Sequence, residues 1–346
     1  MIPSVLLTKI IAIPSFSREE KSLADCLQTV LQDEGFAPQR KGNNLWLLSP
    51  NWDSSKPTIL LNSHIDTVKP VAGWTKNPFE PLVEDGKLFG LGSNDAGGSL
   101  VALLQTFIQL SAQAQPNNFI FLASCEEEIS GRGGIESVLP DLPAIDVAVV
   151  GEPTGMQPAI AERGLMVLDG VVRGKSGHAA RNEGENAIYK ALPVIDWFQK
   201  AQFPLVSELL GAVKTTVTMI QAGTQHNVIP DECRFTVDVR TNECYGNQEL
   251  FELIARQCGC EISAHSFRLN SSHIDCNNPL VQRAIQLGLQ AFGSPTLSDQ
   301  ALMPFPSLKI GPGDSARSHT ADEFIYLSEI EEAIKLYIKL LDNLQL

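Results

Sequence analysis

Residues 119–125 (FIFLASC) form a short apolar run that reads as a buried strand, and it leads straight into Glu126, Glu127 and Glu128. A glycine-rich turn with Gly131, Gly133 and Gly134 follows. Three adjacent carboxylates at the end of a buried strand repel one another and resist desolvation, so a positive partner is expected beside them. Taken alone, the triplet also fits a solvated acidic loop. The pattern recurs, however. Residues 58–62 (TILLN) read as a strand buried on both faces and run into His64 and Asp66. Two residues apart in extended chain, these side chains point the same way. The carboxylate can then steady the imidazole while its other nitrogen binds a cation; a surface His–Asp pair is the plain alternative. Asp95 lies in GLGSNDAGG (90–98), which has neither a P-loop lysine nor a dinucleotide fingerprint. It suits an oxygen ligand at a tight turn, or a helix cap. The apolar run 145–150 ends at Gly151 and Glu152, and His319 stands in the late polar stretch 311–323.

Together His64, Asp95, Glu127, Glu128, Glu152 and His319 suit two zinc ions, each with one histidine and one terminal acid, and one Asp bridging. The remaining glutamate is then free to move a proton. That is the division of labour of two-metal hydrolysis.

The elements that must position these groups are legible in outline. A helix over 4–13 is closed by Pro14, and Ser17 with Glu20 three positions on predicts a capping box before a helix reaching Gln32. Residues 44–48 read as a strand, 51–57 as a loop and 99–110 as an apolar helix. Strands are expected over 165–173, 214–222, 232–240 and 261–268, with helices over 186–200 and 248–257. This βαββαβ order predicts a small sheet with two helices, residues 164–274, inserted into a larger α/β domain of 1–163 and 275–346. Helices over 279–292 and 327–343 complete the larger domain.

Composition narrows the function. The chain has 346 residues, 43% hydrophobic and 19% charged, which is ordinary for a globular protein. A net charge of −14 argues against nucleic acid or an anionic membrane as partner. Neither a membrane-spanning apolar run nor a signal peptide is visible, and seven scattered cysteines suit a reducing cytoplasm. Cys258 and Cys260, flanking Gly259, lack a second pair at metal-ligand spacing and read as structural.

The chain resembles the di-zinc aminoacylase and acetylornithine deacetylase family, which is related to glutamate carboxypeptidases and succinyl-diaminopimelate desuccinylase. The motifs are SHID (63–66), GSND (92–95), EEE (126–128), GEPT (151–154), GKSGHA (174–179) and the late His319, in the family's order along essentially the whole chain. The resemblance implies a zinc-peptidase-like α/β fold, a mixed sheet flanked by helices, with an inserted ferredoxin-like lid and dimerisation domain. It implies that His64 and Glu152 bind one zinc, Glu128 and His319 the other, with Asp95 bridging; cobalt can substitute. Glu127 would be the general base and later acid, and Asp66 would orient His64. His178 would be the lid histidine that stabilises the tetrahedral oxyanion, supplied across a homodimer in dimeric members. Asn227 and Arg240 match lid motifs and would bind the substrate carboxylate, although Arg240 can equally serve a structural pair with Asp238. His226, His265 and His273 match no motif. Leu91 and Gly97–Gly98 depart from the family's usual Arg-Gly and Lys-Gly around the bridging Asp; neither position is a metal ligand.

The expected function is removal of the N-acyl group from a small N-acyl amino acid. The stretch from Ser298 to His319 looks closest to the acetylornithine deacetylase branch of arginine biosynthesis. N-acetyl- or N-succinyl-citrulline, or a di- or tripeptide, are the alternatives. For ornithine an extra acid should meet the ammonium, with Asp299 and Asp314 as candidates. A non-catalytic amino-acid-binding protein on the same scaffold would have lost the base or a ligand, and none is lost. A Cys125 nucleophile has no histidine in its motif, and its acidic neighbours would raise its pKa.

Overall fold

Strands with no exposed residue need cover on both faces, and the runs at 58–64 and 118–124 are buried throughout. In the computed structural model, which describes residues 2–181 and 183–346, they lie side by side in a mixed sheet. The chain divides into two units. The first comprises Met1–Ile160, His273–Phe292 and Ser298–Leu346, and the second Ala161–Ser272 and Gly293–Leu297.

Six strands of the first unit run in the order Gln39–Lys41, Asn44–Leu48, Asn118–Ser124, Thr58–His64, Val147–Val150 and Ser307–Lys309. Thr58–His64 is parallel to both Asn118–Ser124 and Val147–Val150, and Ser307–Lys309 is parallel to Val147–Val150. Register matters here: His64 stands opposite Ser124, and Asn62 opposite Val150. Parallel strands in step bring their carboxyl ends, and whatever follows them, to one edge.

Alternate residues serve opposite faces. Ile59, Leu61, Phe119, Phe121 and Val149 join a core with helices Pro3–Ile11, Lys21–Asp33, Gly98–Ser111 and Leu327–Leu341. Leu60, Ile120, Leu122 and Ala148 pack on the other side against Ile135, Val138 and Phe305. A separate small sheet pairs Lys87–Phe89 with both Leu82–Glu84 and Phe324–Tyr326. It leaves no mark in the sequence pattern.

In the second unit the antiparallel order is Lys214–Ala222, Glu232–Arg240, Leu165–Arg173, Glu261–Ala264, with helices Ala187–Lys200 and Asn247–Gln257. With chain order βαββαβ this is the ferredoxin-like arrangement.

Apart from shifts of one or two residues at element ends, three expected elements differ. The capping box at Ser17 and Glu20 does not form: the helix starts at Lys21, and both side chains are engaged elsewhere. The helix from Pro279 stops at Gln286 rather than 292, because Gly288 adopts φ 85° and Leu289 N–H returns to the Ala284 carbonyl, a left-handed terminator. The last strand of the second unit ends at Ala264 rather than Arg268.

Candidate active site

The site grows from the strand ends. His64 is the last residue of its strand. Glu126 follows the neighbouring strand at φ 56°, a left-handed turn that separates the three acids. Glu126 turns away from the others: its carboxylate accepts from Gly133 N–H at 3.2 Å inside the glycine loop. A Cβ at Gly131 or Gly133 would collide with that carboxylate, which explains the glycines. Glu127 and Glu128 are left facing the site.

Their backbone is clamped from behind by acids. Asp66 accepts the N–H of Glu127 at 3.0 Å and of Glu128 at 3.1 Å, and Ser17 donates its hydroxyl to the same carboxylate at 2.7 Å. Buried Glu20 accepts the N–H of Glu126 at 3.1 Å. The turn carrying Asp95 is held likewise: buried Glu323 accepts N–H bonds from Gly92 (3.1 Å), Asn94 (2.9 Å) and Asp95 (3.0 Å). Asn94 exchanges hydrogen bonds with the backbone of Asp314, which ties this turn to the loop of His319. Ser17, Glu20, Asn94 and Glu323 were invisible as site residues. Asn94 lies inside the GSND motif without a role of its own there, and the Ser17–Glu20 spacing reads as a cap.

His64 Nδ1 lies 2.9 Å from the Asp66 carbonyl oxygen and 3.6 Å from its carboxylate. Asp66 therefore meets the imidazole with both its backbone carbonyl and its carboxylate. A carbonyl only accepts, so Nδ1 carries a proton and Nε2 is available to a cation. That Nε2 lies 3.3 Å from Asp95 Oδ1 and 3.8 Å from Glu152 Oε1. On the other side, His319 Nε2 lies 2.9 Å from Glu128 Oε2 and 3.6 Å from Asp95 Oδ2. Asp95 thus offers one oxygen to each histidine.

Two groups present ligand atoms within 4.8 Å of one another: His64, Asp95 and Glu128, and His64, Glu127 and Glu152. Burial, then the neighbouring Glu152 charge, pushes Glu127 well above the usual carboxylate range. Burial also raises Glu128, and lifts Glu152 to about 8. Burial alone would depress His64, but hydrogen bonds to Asp66 and Asp95 outweigh it and hold the imidazole well above its usual value. The Glu128 hydrogen bond lifts His319 to about 9. Carboxylate and imidazole donors, crowded and strained by like charge, fit divalent cations.

The second unit holds the remaining candidates. His178, exposed, sits on the two-residue strand Gly177–His178, opposite Val228. Its Nδ1 accepts from Ala180 N–H at 3.1 Å, and Ala179 N–H donates to the Asn227 carbonyl at 3.0 Å. The fold therefore brings His178 and Asn227 together. Arg240 ends the Glu232–Arg240 strand, about 25 Å along from its start, and is bound by Asp238 at 2.8 and 3.1 Å. Cys125 is buried, and burial with Glu20, Asp66 and Glu126 pushes its thiol far up, which disqualifies it as a nucleophile.

Glu323 gives a direct test of the clamp. Glu323→Gln replaces one acceptor with an NH₂ that faces backbone donors. It is expected to weaken divalent-cation binding by about 10–100-fold, measured by calorimetric titration of the metal-stripped protein. Unchanged affinity would mean that Glu323 does not position Asp95.

The model of peptidase family M20/M25/M40 matches residues 60–343. Succinyl-diaminopimelate desuccinylases of Verminephrobacter eiseniae and Corynebacterium glutamicum are each 28% identical to the chain. The alignments cover 98% of this chain and 96% of the first relative, and 95% and 93% for the second. Among solved structures, a Staphylococcus aureus tripeptidase superposes with TM-score 0.77 at 18% identity, over 98% of this chain and 96% of the other. A dinuclear metal-binding M20 peptidase from Bacillus subtilis gives 0.74 at 19%, with the same coverage. The likeness extends to the mixed sheet with its flanking helices. The chain belongs to peptidase family M20/M25/M40 and is a metal-dependent amide hydrolase.

Proposed function

We propose that the chain uses two zinc ions to remove the N-acyl group from a small N-acyl amino acid, with N-acetylornithine as the substrate the sequence motifs imply. One observation carries the reading: Asp95 faces His64 with one oxygen and His319 with the other, while Glu127 stands beside them, its carboxylate within 4.8 Å of the His64 and Glu152 ligand atoms. His64 and Glu152 would hold one ion, Glu128 and His319 the second, and Asp95 both. Bound zinc polarises the amide carbonyl and acidifies water. Glu127 takes the proton of the attacking water and returns it to the departing nitrogen. A carboxyl raised by burial suits both steps, since it takes a proton more readily than an exposed carboxylate and can still return it. Asp66 keeps Glu127 and Glu128 in place through their N–H groups.

His178 is proposed as the oxyanion donor. Because its Nδ1 accepts from Ala180, the ring proton sits on Nε2, free to donate. Asn227 and Arg240 are proposed to bind the substrate carboxylate. Neither acid expected to meet an ornithine ammonium is aimed for it: Asp314 caps the 315–317 turn, and Asp299 accepts the Ser124 hydroxyl at 2.6 Å. Ornithine and citrulline substrates are therefore expected to differ by less than tenfold. The full-length likeness to two desuccinylases favours a second reading, N-succinyl-diaminopimelate. The test compares kcat/KM for N-acetylornithine, N-acetylcitrulline, N-succinylcitrulline and N-succinyl-diaminopimelate on one zinc-loaded preparation. A succinylated substrate ahead by more than tenfold, about 1.4 kcal/mol, overturns the acetylornithine reading.

The second unit is also proposed to mediate a homodimer. Tyr189 and Leu192 on its first helix, and Met219 and Ile220 on an edge strand, are 54–70% exposed, an apolar surface of the kind that partners cover. If His178 acts across that dimer, mixing inactive His178→Ala and Glu127→Gln chains is expected to restore turnover. Each hybrid dimer then contains one site with both groups intact. No recovery in subunits shown to exchange would place His178 in its own chain's site or outside catalysis.

A further inference from the structure

Helix Asn247–Gln257 ends with Cys258 as its last helical-like residue, and strand Glu261–Ala264 begins three residues later. The chain reverses between them at Gly259, which adopts φ 72°, a conformation that a residue with a Cβ enters reluctantly. The reversal folds Cys260 back over Cys258, and the two sulfurs lie 3.7 Å apart. Cys258 is buried and Cys260 half-buried, so solvent reaches the pair from the Cys260 side. A third ligand is missing. Among the described residues, the groups able to hold a metal ion lie around His64 and include no cysteine. Two thiols without further donors suit redox chemistry better than a zinc site.

We propose that Cys258 and Cys260 form a dithiol site that small-molecule disulfides oxidise to an intramolecular disulfide. In the first step the solvent-reachable Cys260 sulfur gives up its proton and attacks one sulfur of the small disulfide; a mixed disulfide forms at Cys260 and one small thiolate leaves. In the second, Cys258 attacks the Cys260 sulfur of that mixed disulfide and expels the second small thiolate. Two electrons pass from the protein to the small disulfide, and the two thiol protons end on the two released thiols. Bond formation needs the sulfurs to approach from 3.7 Å to about 2.0 Å, a movement within reach of χ1 rotation on either side of a glycine.

The sequence supplies a clean assay. Trypsin cuts after Arg256 and Arg268, and the peptide between them, residues 257–268, contains both cysteines and no other. The metal-loaded full chain is reduced, exposed to oxidised glutathione, quenched with iodoacetamide, digested and weighed. The expected product is this peptide two hydrogens lighter than its dithiol form and unalkylated, returning to the doubly alkylated form after dithiothreitol. In Cys258→Ser the same treatment is expected to leave one glutathione on Cys260. Exposed Cys276 is the internal control, carrying only a glutathione adduct. The proposal is overturned if the wild-type peptide is recovered doubly alkylated under conditions that modify Cys276. It is equally overturned if the wild-type peptide stops at a glutathione adduct.

Discussion

Glu127→Gln is expected to cut turnover by about 10²–10⁴-fold, the usual worth of a positioned proton shuttle. The change keeps the side-chain volume and the backbone bond from Glu127 N–H to Asp66, so the loop should hold its shape. It removes the group that moves the proton. KM is expected to change little, because the loss falls on the transition state rather than on substrate binding. Calorimetry should show divalent-cation binding undiminished. Full activity in this variant would remove Glu127 from the mechanism. The pH profile offers a second check: an acidic limb of kcat/KM assigned to Glu127 should disappear in the glutamine variant.

Stripping the metal is expected to abolish turnover and to make stability fall as pH rises. Glu152 and Glu323 ionise near 4.5 in an unfolded chain but near 8 in the fold, because burial disfavours their charge. Asp299 moves from 3.8 to about 6 for the same reason. Between the unfolded and folded values the fold binds more protons than the unfolded chain, so each step up in pH weakens it. His319, raised from 6.5 to about 9, acts in the same direction: its contribution is full below 6.5 and is lost through 9. Melting of the metal-free chain is therefore expected to drop steadily from pH 5 to 9. Bound cations favour the ionised carboxylates, so the loaded protein should lose much less over that range. A divalent cation at about a thousand times its Kd contributes roughly 4 kcal/mol per site, on the order of 10 °C in Tm for a chain of this size. A metal-free protein with a flat or rising profile would contradict the charge balance described for the site.

The acid clamps explain why part of the site was readable and part was not. His64, Asp95, Glu127, Glu128, Glu152 and His319 each sit in a short stretch whose chemistry stands out: an acid or histidine where an apolar run ends, or a polar group among glycines. Parallel strands in register then gather most of them at one sheet edge. The alternating and helical periodicities likewise announced the βαββαβ order of the second unit. The failures share a cause. Ser17 and Glu20 have the spacing of a helix cap, but a hydroxyl and a carboxylate bond whichever donor or acceptor the fold presents. Their partners, Asp66 and Glu126, lie 49 and 106 residues away.

By itself the sequence determined the donor types, their order, and the strands and helices that carry them, because those follow from local pattern. Only the tertiary structure decided which acid does what. It turned Glu126 into the glycine loop and left Glu127 and Glu128 facing the site. It set the Asp66 carbonyl 2.9 Å from His64 Nδ1 and gave the Asp66 carboxylate the backbone of the acid triplet to hold as well. It set Glu323 beneath Asp95 by pairing Phe324 with Phe89 in a sheet that no local signal announced. A buried N–H must find an acceptor, and when that acceptor comes from 231 residues away, as Glu323 does for Gly92, no window along the chain contains both.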